Sequence, residues 1–123
     1  MQKRVVRYIT CVSKKSPSDP LFKSLGKLKL SHVYKLQVIM FVYKFKHNLL
    51  RTVLQNIFVS QGLNHRYNTR QADNIYPPRF KYNLSKTLLK YKGSSFWNSL
   101  DLKTKQMNTS VECFKKYIIA KCL

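Results

Sequence analysis

The chain has 123 residues, and its Lys and Arg outnumber its Asp and Glu by 24 to 4, which gives a formal net charge of +20. Because 44% of the residues are hydrophobic, the composition excludes a solvated basic tail, and the shortage of acids is unlike an ordinary globular enzyme. These values predict one small basic domain that binds polyanions, RNA or DNA first and an anionic membrane surface second.

The first predicted element is a helix over residues 2–12. Val5, Ile9 and Val12 recur at spacings of four and three, which is the period of one helix face. The prolines at 17 and 20 then interrupt the chain. Because proline is favoured in a first helical turn, a short second helix is expected from Leu21.

The longest helix is predicted over residues 30–50. Its middle, residues 38–43, is apolar over more than one face, which predicts a central helix packed on several sides. Residues 53–59 extend the helical character by a turn or two. The run at 38–43 is interpreted as core before it is interpreted as a groove for a partner helix.

Residues 61–92 have the composition of a loop-rich segment. Asn64, Asn68, Asp73 and the pair Pro77-Pro78 punctuate it. Residues 84–91 fit either a strand or a helix, and a short β-hairpin is an open alternative within this segment. The fold class expected from this pattern is mainly α, with a loop-rich middle.

The C-terminal part is predicted to contain two helices. Gly93-Ser94-Ser95 leads into a short helix over residues 96–100, where Trp97 is interpreted as a core anchor before a stacking platform. Thr109 and Glu112 have the spacing of a capping box. The last helix has one apolar face, made of Val111, Phe114, Ile118 and Cys122. The whole chain, 1–123, is predicted as a single domain, helical over 1–60, loop-rich over 61–92 and helical again over 93–123.

Few residues suit catalysis or metal binding. Two-metal phosphoryl transfer needs clustered carboxylates, and Cys113 and Cys122 lack the close spacing of a zinc site because eight residues separate them. Three isolated glycines form no phosphate-binding loop. We therefore expect no catalytic residue, metal or cofactor in this chain by itself. The four acids are far apart in sequence: Asp19, Asp73, Asp101 and Glu112.

Basic residues that alternate with aromatic residues form the strongest candidate binding site. Arginine and lysine can neutralise phosphates, and tyrosine can stack on an unpaired base. For any one pair the competing interpretation is a half-buried tyrosine beside solvated lysines. For the chain as a whole the shortage of acids favours binding. The predicted nucleic-acid-binding residues are Arg66, Tyr67, Arg70, Arg79, Lys81, Lys90 and Lys92.

The cysteines and the apolar runs suggest a compartment. An odd number of cysteines, three, argues against a closed disulfide framework, and the N-terminus lacks the pattern of a secretory signal. A reducing intracellular compartment is therefore expected, with nucleus and cytoplasm both open. The longest apolar run, residues 38–43, is far shorter than the ~20 residues of a membrane-spanning helix.

Several motifs, in their order along the chain, resemble one protein family. The motifs are Gln2-Lys3-Arg4-Val5-Val6-Arg7, Asp19-Pro20-Leu21-Phe22, Leu28-Lys29-Leu30, Tyr34-Lys35-Leu36-Gln37, Tyr67-Asn68-Thr69-Arg70, Gly93-Ser94-Ser95-Phe96-Trp97-Asn98-Ser99-Leu100 and Ser110 with Phe114-Lys115-Lys116. The family that they resemble is the reverse transcriptase of non-LTR retrotransposons, jockey-like or LINE-type, in the region that follows the catalytic palm. The resemblance covers nearly the whole chain. It departs from the family at Asp101, where a proline is common, and at Met1, where the family's reading frame continues upstream.

The resemblance implies a place in a larger RNA-directed DNA polymerase. The family's catalytic aspartates lie upstream, and no residue here matches them, so the missing polymerase domains become expected partners. A thumb-like region of this kind helps to hold RNA or an RNA–DNA hybrid. Two alternatives stay open: a helical module that docks on protein through the central helix and Trp97, and a decayed element fragment without selected function.

Overall fold

The computed structural model of the chain describes residues 1–63 and 71–122. The expected mainly helical fold is confirmed, and no strand occurs within those residues. Three short 3-10 helices, Thr52–Leu54, Gln61–Leu63 and Asn83–Thr87, lie in the connections. The α-helices in chain order are α1 (Gln2–Ile9), α2 (Asp19–Ser24), α3 (Leu30–Lys46), α4 (Leu89–Asn98), α5 (Leu102–Lys105) and α6 (Val111–Cys122).

The core forms around α3, which packs against both α4 and α6. The prediction that the middle of α3 is buried on several sides is confirmed, because five of the six residues 38–43 are buried. The Tyr43 ring stacks on Phe114 of α6 with centroids 3.9 Å apart, and its hydroxyl donates to the Thr109 carbonyl at 2.6 Å. Trp97 of α4 is 1% exposed, so its interpretation as a core anchor is confirmed.

The first three helices end in the same backbone arrangement, with a residue in the left-handed region just after the helix. These residues are Cys11 (φ 51°), Gly26 (φ 60°) and Asn48 (φ 54°). The amide after each one bonds back five residues along the chain, as Leu49 does to the Lys44 carbonyl at 2.9 Å. This arrangement satisfies the last helical carbonyls and reverses the chain. It ends α1 and α3 earlier than the predicted residues 12 and 50.

The N-terminus of α4 differs from the prediction. Residues 84–87 belong to the 3-10 helix Asn83–Thr87 and residues 89–91 to α4, with Leu88 extended between them, so no strand forms here. Helix α4 begins at Leu89 and not after Gly93. Gly93 lies inside α4 because the space beside it is full. A Cβ atom there would come within 2.7 Å of the Phe58 ring and 3.2 Å of Val42. Close packing, and not a turn, therefore explains this glycine.

The start of α6 is one residue later than the predicted capping box. Ser110, the residue just before the helix, accepts a hydrogen bond from the Cys113 amide through its hydroxyl at 3.3 Å. The capping spacing therefore joins Ser110 to Cys113, and the predicted pair of Thr109 and Glu112 is wrong. Thr109 instead accepts the Tyr43 hydroxyl through its backbone carbonyl. The predicted apolar face is confirmed at Phe114 and Ile118, which are both buried.

A single antiparallel bridge joins Ser60 to Ile75, which stands where a short β-hairpin was an alternative. The Gln61 amide donates to the Asn74 carbonyl at 3.0 Å, and the Tyr76 amide donates to the Val59 carbonyl at 2.8 Å. The chain on either side of residues 64–70 is thus held together. Across the described ranges, no helix has both the length and the apolar character needed to cross a membrane.

Candidate nucleic-acid interface

The end of α4 fixes the chain that follows residues 64–70. The Trp97 indole N–H donates to the Asp73 carbonyl at 3.1 Å. The Asn98 side chain binds both backbone groups of Ile75: its Oδ1 accepts the amide at 3.0 Å, and its Nδ2 donates to the carbonyl at 2.9 Å. The Asn98 side chain thus makes the two hydrogen bonds with the buried Ile75 backbone that a neighbouring strand would otherwise make. Trp97 and Asn98 therefore position residues 73–75.

Two lysines also contact the chain on either side of residues 64–70. Lys105 Nζ donates to Asn74 Oδ1 at 2.9 Å and to the Asn98 carbonyl at 3.0 Å. Burial lowers the pKa of Lys105, and the nearby Asp73 carboxylate opposes that shift. Burial likewise lowers the pKa of Lys46, whose Nζ lies 3.4 Å from Ser60 Oγ. These two lysines therefore act within the fold, and sequence reasoning did not single out either of them or Asn98.

Four of the seven predicted binding residues can be located. Arg79, Lys81 and Lys90 are exposed, and Lys92 is half-buried. The other three predicted residues, Arg66, Tyr67 and Arg70, lie outside the described residues. Their assignment stays a prediction.

An aromatic contact joins the two segments that carry the four located residues. The ring of Phe80 lies 6.5 Å from the ring of Tyr91 between centroids, which joins the segment before the 3-10 helix Asn83–Thr87 to the first turn of α4. Both rings sit between basic neighbours in sequence. We call the resulting surface the basic face. It is defined by Arg79, Lys81, Lys90, Lys92 and Lys35.

Aromatic rings also hold the lysines of the basic face. Lys92 Nζ lies 5.8 Å from the Phe96 centroid, and Lys35 Nζ of α3 lies 5.6 Å from the same ring. Lys81 Nζ is 5.8 Å from the Tyr82 ring. A cation over a ring face is attracted to it while its ammonium hydrogens stay available to a ligand. Lys35 was missed by sequence reasoning because only the packing of α3 on α4 places it beside Phe96.

Three of the four acids of the chain form contacts with residues other than those of the basic face. Asp19 forms an ion pair with Lys29 at 2.7 Å, and Asp101 pairs with Lys121. A hydrogen bond and the charge of its lysine hold the pKa of each carboxyl below its usual range. Asp73 accepts the Gln106 side-chain amide at 3.1 Å. The contacts of Asp19 and Asp73 involve no residue of the basic face, whereas Asp101 and Lys121 line a surface cleft together with Lys35.

Over residues 1–63 and 71–122, no group of three or more His, Cys, Asp or Glu lies close enough to hold a metal ion. Cys11 and Cys113 are free thiols at the surface.

Comparison with known proteins gives no relative: no family model matches the chain, and neither a curated protein nor a solved structure is significantly similar to it. The resemblance to non-LTR reverse transcriptases therefore stays a prediction that depends on the motifs alone.

Proposed function

We propose that this chain is a non-catalytic, nucleic-acid-binding C-terminal segment of a retrotransposon RNA-directed DNA polymerase. In this role it grips the backbone of RNA or of an RNA–DNA hybrid. The observation that carries the proposal is the basic face, where Lys35 of α3 and Lys92 of α4 lie beside the same Phe96 ring and where the ring of Phe80 contacts the ring of Tyr91. The net charge of +20 supports the same role.

The grip depends on phosphate neutralisation. Lysine and arginine on the basic face replace the condensed counterions of the nucleic acid, and the release of those counterions drives binding. Contacts to phosphate and sugar position a duplex without reading its sequence. A polymerase needs this property, because the hybrid behind its active site changes sequence at every step.

The rigid part of the interface is α4. Its first turn carries Lys90 and Lys92, and its last turn is anchored by Trp97 and Asn98. A cation on a helix that is fixed in the core loses little additional freedom when it binds a phosphate. Catalytic carboxylates and the palm would come from the upstream polymerase domains, which are the proposed protein partners.

The test is the salt dependence of binding to a labelled RNA–DNA hybrid. Arg79→Gln and Lys90→Gln should each weaken binding about equally for all sequences and reduce the slope of log K against log salt by roughly 1. Lys116→Gln on the exposed side of α6 is the matched control, since it removes the same charge outside the basic face. If all three variants behave alike, the basic face is not the interface.

The second candidate function is docking on protein, and one observation favours it. Val5 and Ile9 of α1 and Leu30 of α3 are all more than half exposed. The form of this alternative expected from the sequence uses the central helix and Trp97, but Trp97 is 1% exposed, so the exposed residues of α1 and α3 are the better candidates for the contact. Heparin separates the two functions. It should displace a nucleic acid from the basic face, and it should leave a complex held by apolar contacts intact.

A further inference from the structure

A cleft of about 470 Å³ lies between α1 and the turn that follows it, and its lining residues are Arg4, Arg7, Tyr8, Val12 and Lys14. We propose that this cleft binds a nucleotide unit whose base is unpaired, with the phosphate at the three cations and the base on Tyr8. The cleft shares no residue with the basic face. The inference goes beyond the proposed function and does not depend on it.

The local sequence builds the cleft. Arg4, Arg7 and Tyr8 are three and four residues apart in α1, so their side chains share one helix face. Cys11 adopts a left-handed conformation, with φ of 51°, and the Val12 amide bonds back to the Arg7 carbonyl at 3.1 Å. The same left-handed arrangement ends α2 and α3, so it belongs to the helix end and reverses the chain here. The reversal returns Val12 and Lys14 to the face that carries Arg4.

One of the cations is fixed before any ligand arrives. Arg7 is half-buried, and its Nε donates to the Ser16 carbonyl at 3.0 Å. A guanidinium bound through Nε keeps both terminal amino groups as donors. Those two groups match the spacing of two phosphate oxygens. Arg7 is therefore preorganised for a phosphate, and Arg4 and Lys14 add charge from two other positions.

The charge of the cleft is not balanced by its own lining. Three of the five lining residues are cationic and none is acidic. The nearest acid in sequence is Asp19, whose carboxylate is held by Lys29 at 2.7 Å. Like charges that share a cleft repel one another, and an anion relieves that repulsion. The lining therefore selects a ligand with at least one negative charge.

The position of Tyr8 is the reason for inferring a nucleotide and not a phosphate alone. Its side chain is 70% exposed at the edge of the cations, so its ring is open to stacking. A free phosphate would use the cations and leave the ring unused. In a duplex the bases are stacked on each other, so a base that reaches Tyr8 must be unpaired. The cleft volume is within the range of roughly 300–1,000 Å³ found for small-ligand sites.

The experiment measures binding of the full chain to a fluorescein-labelled oligouridylate by anisotropy. Tyr8→Leu should weaken binding about tenfold through lost stacking, whereas Tyr8→Phe should keep it. Tyr117→Leu on α6 is the matched control, because that tyrosine is also exposed and lies outside the cleft. Arg4→Gln should reduce the salt slope by about 0.7. Because all three tyrosine changes are at the surface, circular dichroism should confirm an unchanged fold.

Two further arms identify the source of the nucleotide. Adenosine monophosphate that binds with the same dependence on Tyr8 would assign the cleft to free nucleotides. Binding of the oligonucleotide alone would assign it to a single strand. The proposal is overturned if Tyr8→Leu and Tyr117→Leu are equivalent for both ligands, or if inorganic phosphate competes as strongly as adenosine monophosphate. The variants that test the basic face, Arg79→Gln and Lys90→Gln, leave the cleft unchanged. A negative result with those variants therefore does not change the outcomes expected for the cleft.

Discussion

Helices α1 and α3 were both predicted from the pattern of their apolar residues, yet the chain buries them to very different extents. Along α3, Leu36, Val38, Ile39, Met40, Val42 and Tyr43 are all buried. In α1 only Val6 is buried, and Val5 and Ile9 of the predicted stripe are exposed. The two helices show that periodicity predicts a helix, whereas burial depends on what lies beside it.

The difference has a physical cause in the partners of each helix. α3 has α4 and α6 on its sides, whereas α1 packs on the six-residue α2. Polar contacts also tether α1 to the start of α3. Gln2 accepts the Leu30 amide at 2.9 Å and donates to the Leu28 carbonyl at 3.3 Å. A helix held in this way contributes less apolar burial and keeps surface available for binding.

The largest expected loss of stability is at Trp97, which is buried in the core around α3. Trp97→Ala should destabilise the fold by about 3–5 kcal/mol, because it leaves a cavity and removes the indole hydrogen bond to Asp73. Urea unfolding measures the change. Tyr117→Ala, at an exposed tyrosine, is the control and should change stability by less than about 0.5 kcal/mol. Equal losses in the two variants would contradict the placement of Trp97 in the core.

One substitution at three sites tests the comparison of α1 with α3 directly. Val42, Val6 and Val5 are 0%, 7% and 53% exposed. Changing each to alanine removes the same two methyl groups, so the losses should be about 2–3, 1–2 and below 0.5 kcal/mol in that order. Thermal or urea unfolding gives the three values. A Val5 loss as large as that of Val6 would mean that the exposed face of α1 is covered in solution.

A substitution of Asn98 tests whether this one side chain holds the backbone of Ile75 in place. Asn98→Ala should cost about 2 kcal/mol, since both backbone groups of buried Ile75 lose their partner. Hydrogen exchange of the Ile75 amide should accelerate more than that of amides in α6. Asn108→Ala, at an exposed asparagine, serves as the control. Unchanged exchange at Ile75 would refute this role of Asn98.

The two structurally explained glycines should respond for different reasons. Gly93→Ala should cost about 1–3 kcal/mol by overpacking against Phe58, and Phe58→Leu should recover part of that loss in the double variant. Gly26→Ala meets open space but must adopt a φ of +60°, so about 1 kcal/mol is expected with no coupling to Phe58. Unfolding of the four variants separates strain from crowding. Additive losses for Gly93 and Phe58 would exclude the clash.

The smallest expected effect is the pH dependence of the two ion pairs. The hydrogen bond and charge of Lys29 hold the pKa of Asp19 below its usual range, and Lys121 does the same to the pKa of Asp101. When the pKa of a carboxyl is lower in the folded state than in the unfolded state, the ionised carboxyl stabilises the fold at pH values above the unfolded pKa of about 4. This stabilisation is lost as the pH falls through the folded pKa. Asp19→Asn and Asp101→Asn should therefore differ from the wild type near pH ~6 and converge with it near pH ~2. Differences that persist at the lower pH would assign the effect to packing.

The sequence predicted the helical class because the apolar spacing and the prolines are local signals. The central helix, the core position of Trp97 and the buried face of α6 at Phe114 and Ile118 were all predicted in this way. Helix ends were less accurate. The left-handed residues Cys11 and Asn48 end their helices. Asparagine is an alternative to glycine at such positions, so Asn48 was a signal that the prediction missed, whereas the residue type of Cys11 gives no such signal.

The sequence by itself determined the surplus of positive charge and the alternation of basic and aromatic residues, because both are properties of composition and order. Only the tertiary structure decided which of these residues meet. Lys35 and Lys92 share the Phe96 ring across α3 and α4, and Phe80 reaches Tyr91 from the preceding segment. Gly93 was expected to precede a helix, but the structure places it inside α4, packed beside Phe58. Such contacts join residues distant in the chain, and no local period or spacing encodes them.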